Sequence, residues 1–72
     1  MNESPAMIII VNGETVTAEK GTSIAGLLRQ LNIRSRAIAV ECNQEILPST
    51  RFDQHILHPN DILEIVTLVG GG

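Results

Sequence analysis

Cysteine is almost missing from this 72-residue chain: Cys42 stands alone. One thiol excludes an internal disulfide and a cysteine-based metal site, and such usage fits a reducing cytosol. Positive charge is also sparse, with five Lys and Arg against eight Asp and Glu and a formal net charge of −3. Lys20, Arg29, Arg34, Arg36 and Arg51 are scattered apart from the Arg34/Arg36 pair, a distribution that disfavours nucleic acid as a partner. No long hydrophobic run is present. The longest near the start, Met7 to Val11, is too short for a signal sequence or a membrane span, and the MNESPA before it is acidic rather than basic, so a cytoplasmic protein is expected. No repeat and no low-complexity stretch occurs apart from Gly70, Gly71 and Gly72. At 72 residues there is room for one small core, which makes a deep internal active site improbable and points to the surface for function.

What remains is 43% hydrophobic and strongly patterned. After Met1 to Ala6, which reads as a frayed leader, MIIIV (Met7 to Val11) is β-branched and bounded by Asn12-Gly13, a strong hairpin signal. ETVTA (Glu14 to Ala18) alternates behind it, giving a first hairpin. Thr22 or Ser23 can cap the helix that follows, in which Ile24, Leu27, Leu28 and Leu31 recur at i, i+3, i+4 and i+7. Gly26 within it costs about 1 kcal/mol relative to alanine, and suggests a helix lying close against a sheet. Asn32 is the expected stop.

RAIAVEC (Arg36 to Cys42) alternates again, Asn43-Gln44 turns the chain, and Glu45 to Leu47 is a short strand ended by Pro48. From Ser49 to Leu57 the pattern is mixed, with Phe52, Ile56 and Leu57 expected as plugs beneath a loop. His58-Pro59-Asn60-Asp61 is turn chemistry, and Ile62 to Val69 is the longest strand expected. The order implies a two-layer α+β domain, a mixed sheet of four to five strands with one main helix on one face. A right-handed crossover after the hairpin would make the first and last strands parallel central neighbours.

Alternation in the last strand puts Leu63, Ile65, Thr67 and Val69 on one face and Ile62, Glu64, Val66 and Leu68 on the other, which Glu64 marks as wet. Val66 and Leu68 then form either an exposed apolar contact patch or the cover of a loop; periodicity leaves both open. Three glycines span about 10 Å when extended and carry no Cβ to obstruct a narrow channel, so such a tail can be threaded. Glycine also leaves the carboxylate of Gly72 unhindered for activation. A disordered chain end or a cloning scar is the plain alternative.

The stretches IIIVNGE, AIAVECNQEILP, NDILEIV and the closing VGGG resemble, in this order and spacing, the ThiS family of sulfur carriers in thiamine biosynthesis, over Met7 to Gly72. That resemblance implies the ubiquitin-like β-grasp fold for 7–69, with 70–72 as a flexible tail. It further implies that Gly72 is adenylated by a ThiF-type enzyme using ATP, with no cofactor bound by the carrier itself. A persulfide sulfur, supplied by a sulfurtransferase or cysteine desulfurase, would then give a thiocarboxylate that feeds thiazole synthase (ThiG). Gly70 and Gly71 would thread the partner's channel, with Val66, Leu68 and Val69 as supporting contacts. Such a chain is a protein co-substrate and not an enzyme. The small subunit of molybdopterin synthase and a ubiquitin-like modifier are the rivals within the same fold. Two departures stand out: Asn60-Asp61 where the resemblance leads one to expect Gly-Asp, and Phe52 in place of Trp. Asparagine tolerates the left-handed conformation, and phenylalanine fills a similar slot.

Other reactive residues are better read as structural. Cys42 lies in a strand with no cation beside it in the sequence, so it is expected in the core rather than as a persulfide site. His55 and His58 have the spacing of a helical metal pair, but Pro59 breaks the helix and no third ligand is evident. Asp53 and Asp61 read as loop and turn residues. Arg34 and Arg36 are expected to be solvated.

Overall fold

Asn12 and Gly13 both take positive φ, 51° and 83°, in the computed structural model of the chain, which describes residues 5–35 and 37–68. Two such residues make the type I′ turn whose twist matches that of flanking strands. It joins β1 (Ala6–Val11) to β2 (Glu14–Glu19) in register Val11 to Glu14 and Met7 to Ala18. Strand β1 thus starts one residue earlier than expected, and Pro5 before it is held by the Lys20 N–H at 3.1 Å.

Helix α1 (Ile24–Gln30) begins at Ser23, whose side chain accepts from the Gly26 N–H. The two free N–H groups ahead of that one are taken by distant carbonyls: Ile24 donates to His55 and Ala25 to Phe52, at 3.0 and 2.9 Å. The first turn is therefore fully satisfied. Asn32 ends the helix as expected, with φ of 62°. Its N–H donates to Arg29 and that of Ile33 to Leu28, the paired bonds of a Schellman motif built on asparagine instead of glycine. Gly26 differs from expectation: a Cβ there would meet Thr22 Cγ2 at 3.3 Å and Ser23 Oγ at 3.5 Å, so its closest neighbours are the helix's own cap and not the sheet.

Strand β3 (Ile38–Cys42) and β4 (Glu45–Leu47) form a second hairpin through Asn43 and Gln44, both at positive φ. Strand β3 starts later than the alternation suggested, because Ala37 turns back to donate to Ser35 Oγ. A short 3-10 helix, Ser49–Arg51, leads into the strap that covers the start of α1. Phe52 and Leu57 are buried in it as expected, but Ile56 is not: Leu57 is turned inward by its bond to the Thr22 carbonyl, and Ile56 beside it faces out at 42% exposure. Strand β5 (Ile62–Thr67) follows Asn60, whose φ of 71° confirms that asparagine meets the left-handed requirement at this turn.

The sheet order is β2-β1-β5-β3-β4, with β1 and β5 parallel at its centre and the other pairs antiparallel. One face packs Met7, Ile9, Val11, Val40, Cys42, Leu63 and Ile65 against Ile24, Leu27 and Leu28 of α1. Ile9, Ile24, Leu27 and Leu63 are sealed completely. Among the described residues, no helix covers the opposite face. This is the mixed-sheet β-grasp expected, and it leaves the C-terminal end of the central strand β5 leading out of the fold.

Candidate functional site: the end of strand β5

Every odd-numbered side chain of β5 from Leu63 to Ile65 is buried, while Ile62, Glu64, Val66 and Leu68 are exposed on the uncovered face. Val66 and Leu68 are 51% and 53% exposed, and no loop among the described residues covers them. The exposed-patch alternative is the one the structure adopts. Ala39 lies opposite Val66, and Glu41 lies opposite Glu64. The Leu68 N–H still reaches the Ala37 carbonyl at 2.6 Å, so β5 is held against β3 to its last described residue. Val69, Gly70, Gly71 and Gly72 lie outside the described residues, as do Met1 to Ser4 and Arg36.

Two asparagines fix where this strand sits, and sequence reasoning assigned both only to turns. The Asn12 amide accepts from the Ile65 N–H at 2.7 Å and donates to the Ile65 carbonyl at 3.1 Å. Asn43 accepts from the Ile62 N–H and donates to Asp61 Oδ1, both at 3.0 Å. Asp61, only 7% exposed, also accepts the His58 N–H at 2.8 Å, so it is the hub of the turn that launches β5 and more than a turn residue. A buried carboxylate with these donors is satisfied in place.

The remaining candidates are separate from this site. Cys42 is buried in the core, and burial, together with the nearby Asp61 charge, pushes its thiol up to about 11. A thiol so protonated is a poor nucleophile. His55 gives its carbonyl to α1 and His58 its N–H to Asp61, and among the described residues no group of three His, Cys, Asp or Glu gathers for a metal. Asp53 is exposed in the strap, and Arg34 is exposed with its Nε on Asn32. An open depression of about 390 Å³ lies on the uncovered face beside Glu41, Ile62 and Glu64, and another of about 310 Å³ lies along β4. Neither contains an arrangement for acid–base or nucleophilic catalysis. Among the described residues, no helix is long and apolar enough to cross a membrane.

The ThiS family model matches residues 6–72. An uncharacterized protein, ycf40, of Pyropia yezoensis is 42% identical over 64 residues, which cover 89% of this chain and 90% of that protein. A thiazole synthase of Paramagnetospirillum magneticum is 38% identical over 66 residues, 92% of this chain but 20% of the enzyme, so the chain spans about a fifth of that relative. The sulfur carrier protein ThiS of Bacillus subtilis is 36% identical, with 86% of this chain and 96% of that protein covered. Among solved structures, the thiamine biosynthesis protein ThiS of Geobacter metallireducens superposes with a TM-score of 0.80 at 29% identity, over 92% of this chain and all of that one.

Proposed function

The chain belongs to the ThiS family, and on that premise we propose that it is a cytoplasmic sulfur carrier for thiazole formation in thiamine biosynthesis, with the carboxylate of Gly72 as its working group. The observation that carries the reading is the position of β5. It is the central strand, clamped by Asn12 and Asn43, and its exposed Val66 and the following Leu68 lie shortly before the glycines in sequence. A rigid root with an apolar contact face suits a substrate that has to be presented inside another protein.

The chemistry needs nothing else from this chain. A free carboxylate is a poor electrophile. In the proposed sequence Gly72 attacks the α-phosphate of ATP on a ThiF-type adenylating enzyme and pyrophosphate leaves. The terminal sulfur of a cysteine persulfide, loaded by a sulfurtransferase or cysteine desulfurase, then attacks the acyl carbon and displaces AMP. A thiol cleaves the resulting S–S bond and frees the thiocarboxylate. Gly70 and Gly71 carry the acyl group through a channel too narrow for a Cβ, and Val66, Leu68 and Val69 rest on the partner's rim. ATP is thus a substrate of the partner, and the carrier is a co-substrate. Thiazole synthase (ThiG) is the acceptor; the 66-residue likeness within thiazole synthases supports this choice over a molybdopterin acceptor.

The test is the intact mass of the protein isolated gently from its own cells under thiamine starvation. Replacement of one oxygen by sulfur at Gly72 is expected, and Gly72→Val is expected to abolish it. A tail found only as free carboxylate or joined to lysines would overturn the reading.

A further inference from the structure

Asn12 is followed by Gly13, and this pair carries a chemistry beyond the turn it forms. The backbone nitrogen that follows an asparagine can attack the side-chain carbonyl carbon, and it does so most readily in glycine, where no Cβ obstructs the approach. Asn32, Asn43 and Asn60 also stand at left-handed corners, but Ile33, Gln44 and Asp61 follow them. Gly13 is exposed, a Cβ built on it would meet nothing within 4 Å, and among the described residues nothing accepts its N–H. The nucleophile is therefore open. The electrophile is held: Asn12 Oδ1 accepts the Ile65 N–H at 2.7 Å, Nδ2 donates to the Ile65 carbonyl at 3.1 Å, and the Asn12 N–H is fixed on the Leu63 carbonyl at 2.9 Å.

We propose that Asn12 is a site of spontaneous deamidation gated by its clamp on Ile65, and that the product releases the strand. The inference stands independently of the carrier reading. In a conformer whose Asn12 side chain has let go of Ile65, the Gly13 nitrogen bonds to Asn12 Cγ. The Cγ–Nδ2 bond breaks with its electron pair on nitrogen, and ammonia leaves with the proton that Gly13 has given up. Solvent water then adds to one of the two carbonyls of the cyclic imide, opening it to aspartate or, through the other C–N bond, to isoaspartate. The net change is water in and ammonia out, with no oxidant or reductant. Neither product closes the clamp. Aspartate has no Nδ2 to donate to the Ile65 carbonyl and sets a negative oxygen against it instead. Isoaspartate also lengthens by one backbone carbon a corner whose twist is set by two residues. The modification is one-way, and it falls on the contact that holds β5 just ahead of Val66.

The full-length chain is kept in mildly alkaline buffer at physiological temperature, folded and across urea concentrations up to full unfolding. Intact mass and peptide mapping that separates aspartate from isoaspartate follow the reaction. Replacement of the side-chain NH2 by OH is expected at Asn12 ahead of Asn32, Asn43 and Asn60. The folded chain should react at least tenfold more slowly than the unfolded one, the protection that two side-chain bonds confer on the amide they hold. Below the unfolding transition the rate should stay nearly level with urea, as a local opening requires. Equal rates in folded and unfolded chains would overturn the gate. So would a rate that climbs with the unfolded fraction from the lowest urea, which would place the reaction in global unfolding. An unfolded chain left unmodified at Asn12 would remove the site itself. The release is read by amide hydrogen exchange on the two separated products and on Asn12→Asp, which carries the aspartate product without its isomer. The Ile65 amide should exchange at least tenfold faster than in the intact chain, while that of Leu68, bonded to Ala37, keeps its rate. An Ile65 rate unchanged in all three would overturn the release.

Discussion

The side chain of Asn12 hydrogen-bonds both backbone groups of Ile65, a residue 53 positions away, and so substitutes for the strand that β1 no longer provides. Its own N–H adds a third contact, to the Leu63 carbonyl at 2.9 Å. One residue therefore serves both as the left-handed corner of the first hairpin and as the clamp on the central strand. Replacing it separates the two roles. Asn12→Gly keeps the corner and loses two side-chain bonds, which should cost about 2 kcal/mol at about 1 kcal/mol per bond. Asn12→Ala adds roughly 1 kcal/mol for a Cβ at positive φ. Chemical denaturation of the two variants checks the order; equal stability of wild type and Asn12→Gly would show that the clamp contributes nothing.

Glu41 and Glu64 face each other across β3 and β5 on the uncovered face. Among the described residues, the basic ones, Lys20, Arg29, Arg34 and Arg51, lie on turns, the helix, a loop and the 3-10 segment, outside the strands. Like charges directly opposite are unfavourable, and an opposite pair contributes roughly 0.2–1 kcal/mol. Glu41→Lys should accordingly raise stability by about 1 kcal/mol, with the gain shrinking in high salt as screening sets in. Thermal melts at low and high ionic strength measure it.

Val66 and Leu68 are exposed enough that Val66→Asp and Leu68→Asp should change stability by no more than about 0.5 kcal/mol. Adenylation by the partner enzyme should nevertheless fall tenfold or more in each, because a charge would be desolvated where an apolar contact was made. A normal rate in both variants would remove these residues from the docking surface.

Cys42 gives a signature at alkaline pH. Burial and the neighbouring Asp61 raise its thiol from 9.0 to about 11 in the folded chain. Between these values the unfolded state has lost a proton that the folded state keeps, so stability falls as pH rises. The contribution is complete below pH 9.0 and disappears through about 11. Cys42→Ala should be less stable at neutral pH by about 1 kcal/mol and should lack this alkaline fall. Denaturation midpoints from pH 7 to 11 for both proteins check the slope.

The elements that depend on neighbours in sequence were legible in the sequence. The Asn12-Gly13 corner, the 3.6-residue spacing from Ile24 to Leu28 and the alternation of Leu63 and Ile65 against Val66 placed the hairpin, the helix and the faces of β5. The less legible features depend on residues brought together from far apart. Nothing local reveals that Phe52 and His55 lend carbonyls to the first turn of α1, or that Asp61 is a buried hub rather than a turn residue. Gly26 was misread for a different reason: its tight contacts are local, with the side chains of Thr22 and Ser23, whose conformations do not follow from spacing. Ile56 and Leu57 are equally apolar, and only the strap's bond to Thr22 decides which one turns inward.

The burial of Cys42 also bears on chemical self-restraint. In the proposed carriage, an acyl-adenylate at Gly72 would be open to any nearby thiolate, and an accessible cysteine on the carrier would capture it as a thioester, within one molecule or between two. The chain's one thiol is enclosed by the sheet and the helix and stays protonated at physiological pH. On that proposal the carrier's own thiol would be kept out of the reaction, and the payload and its carriage would stay chemically separate.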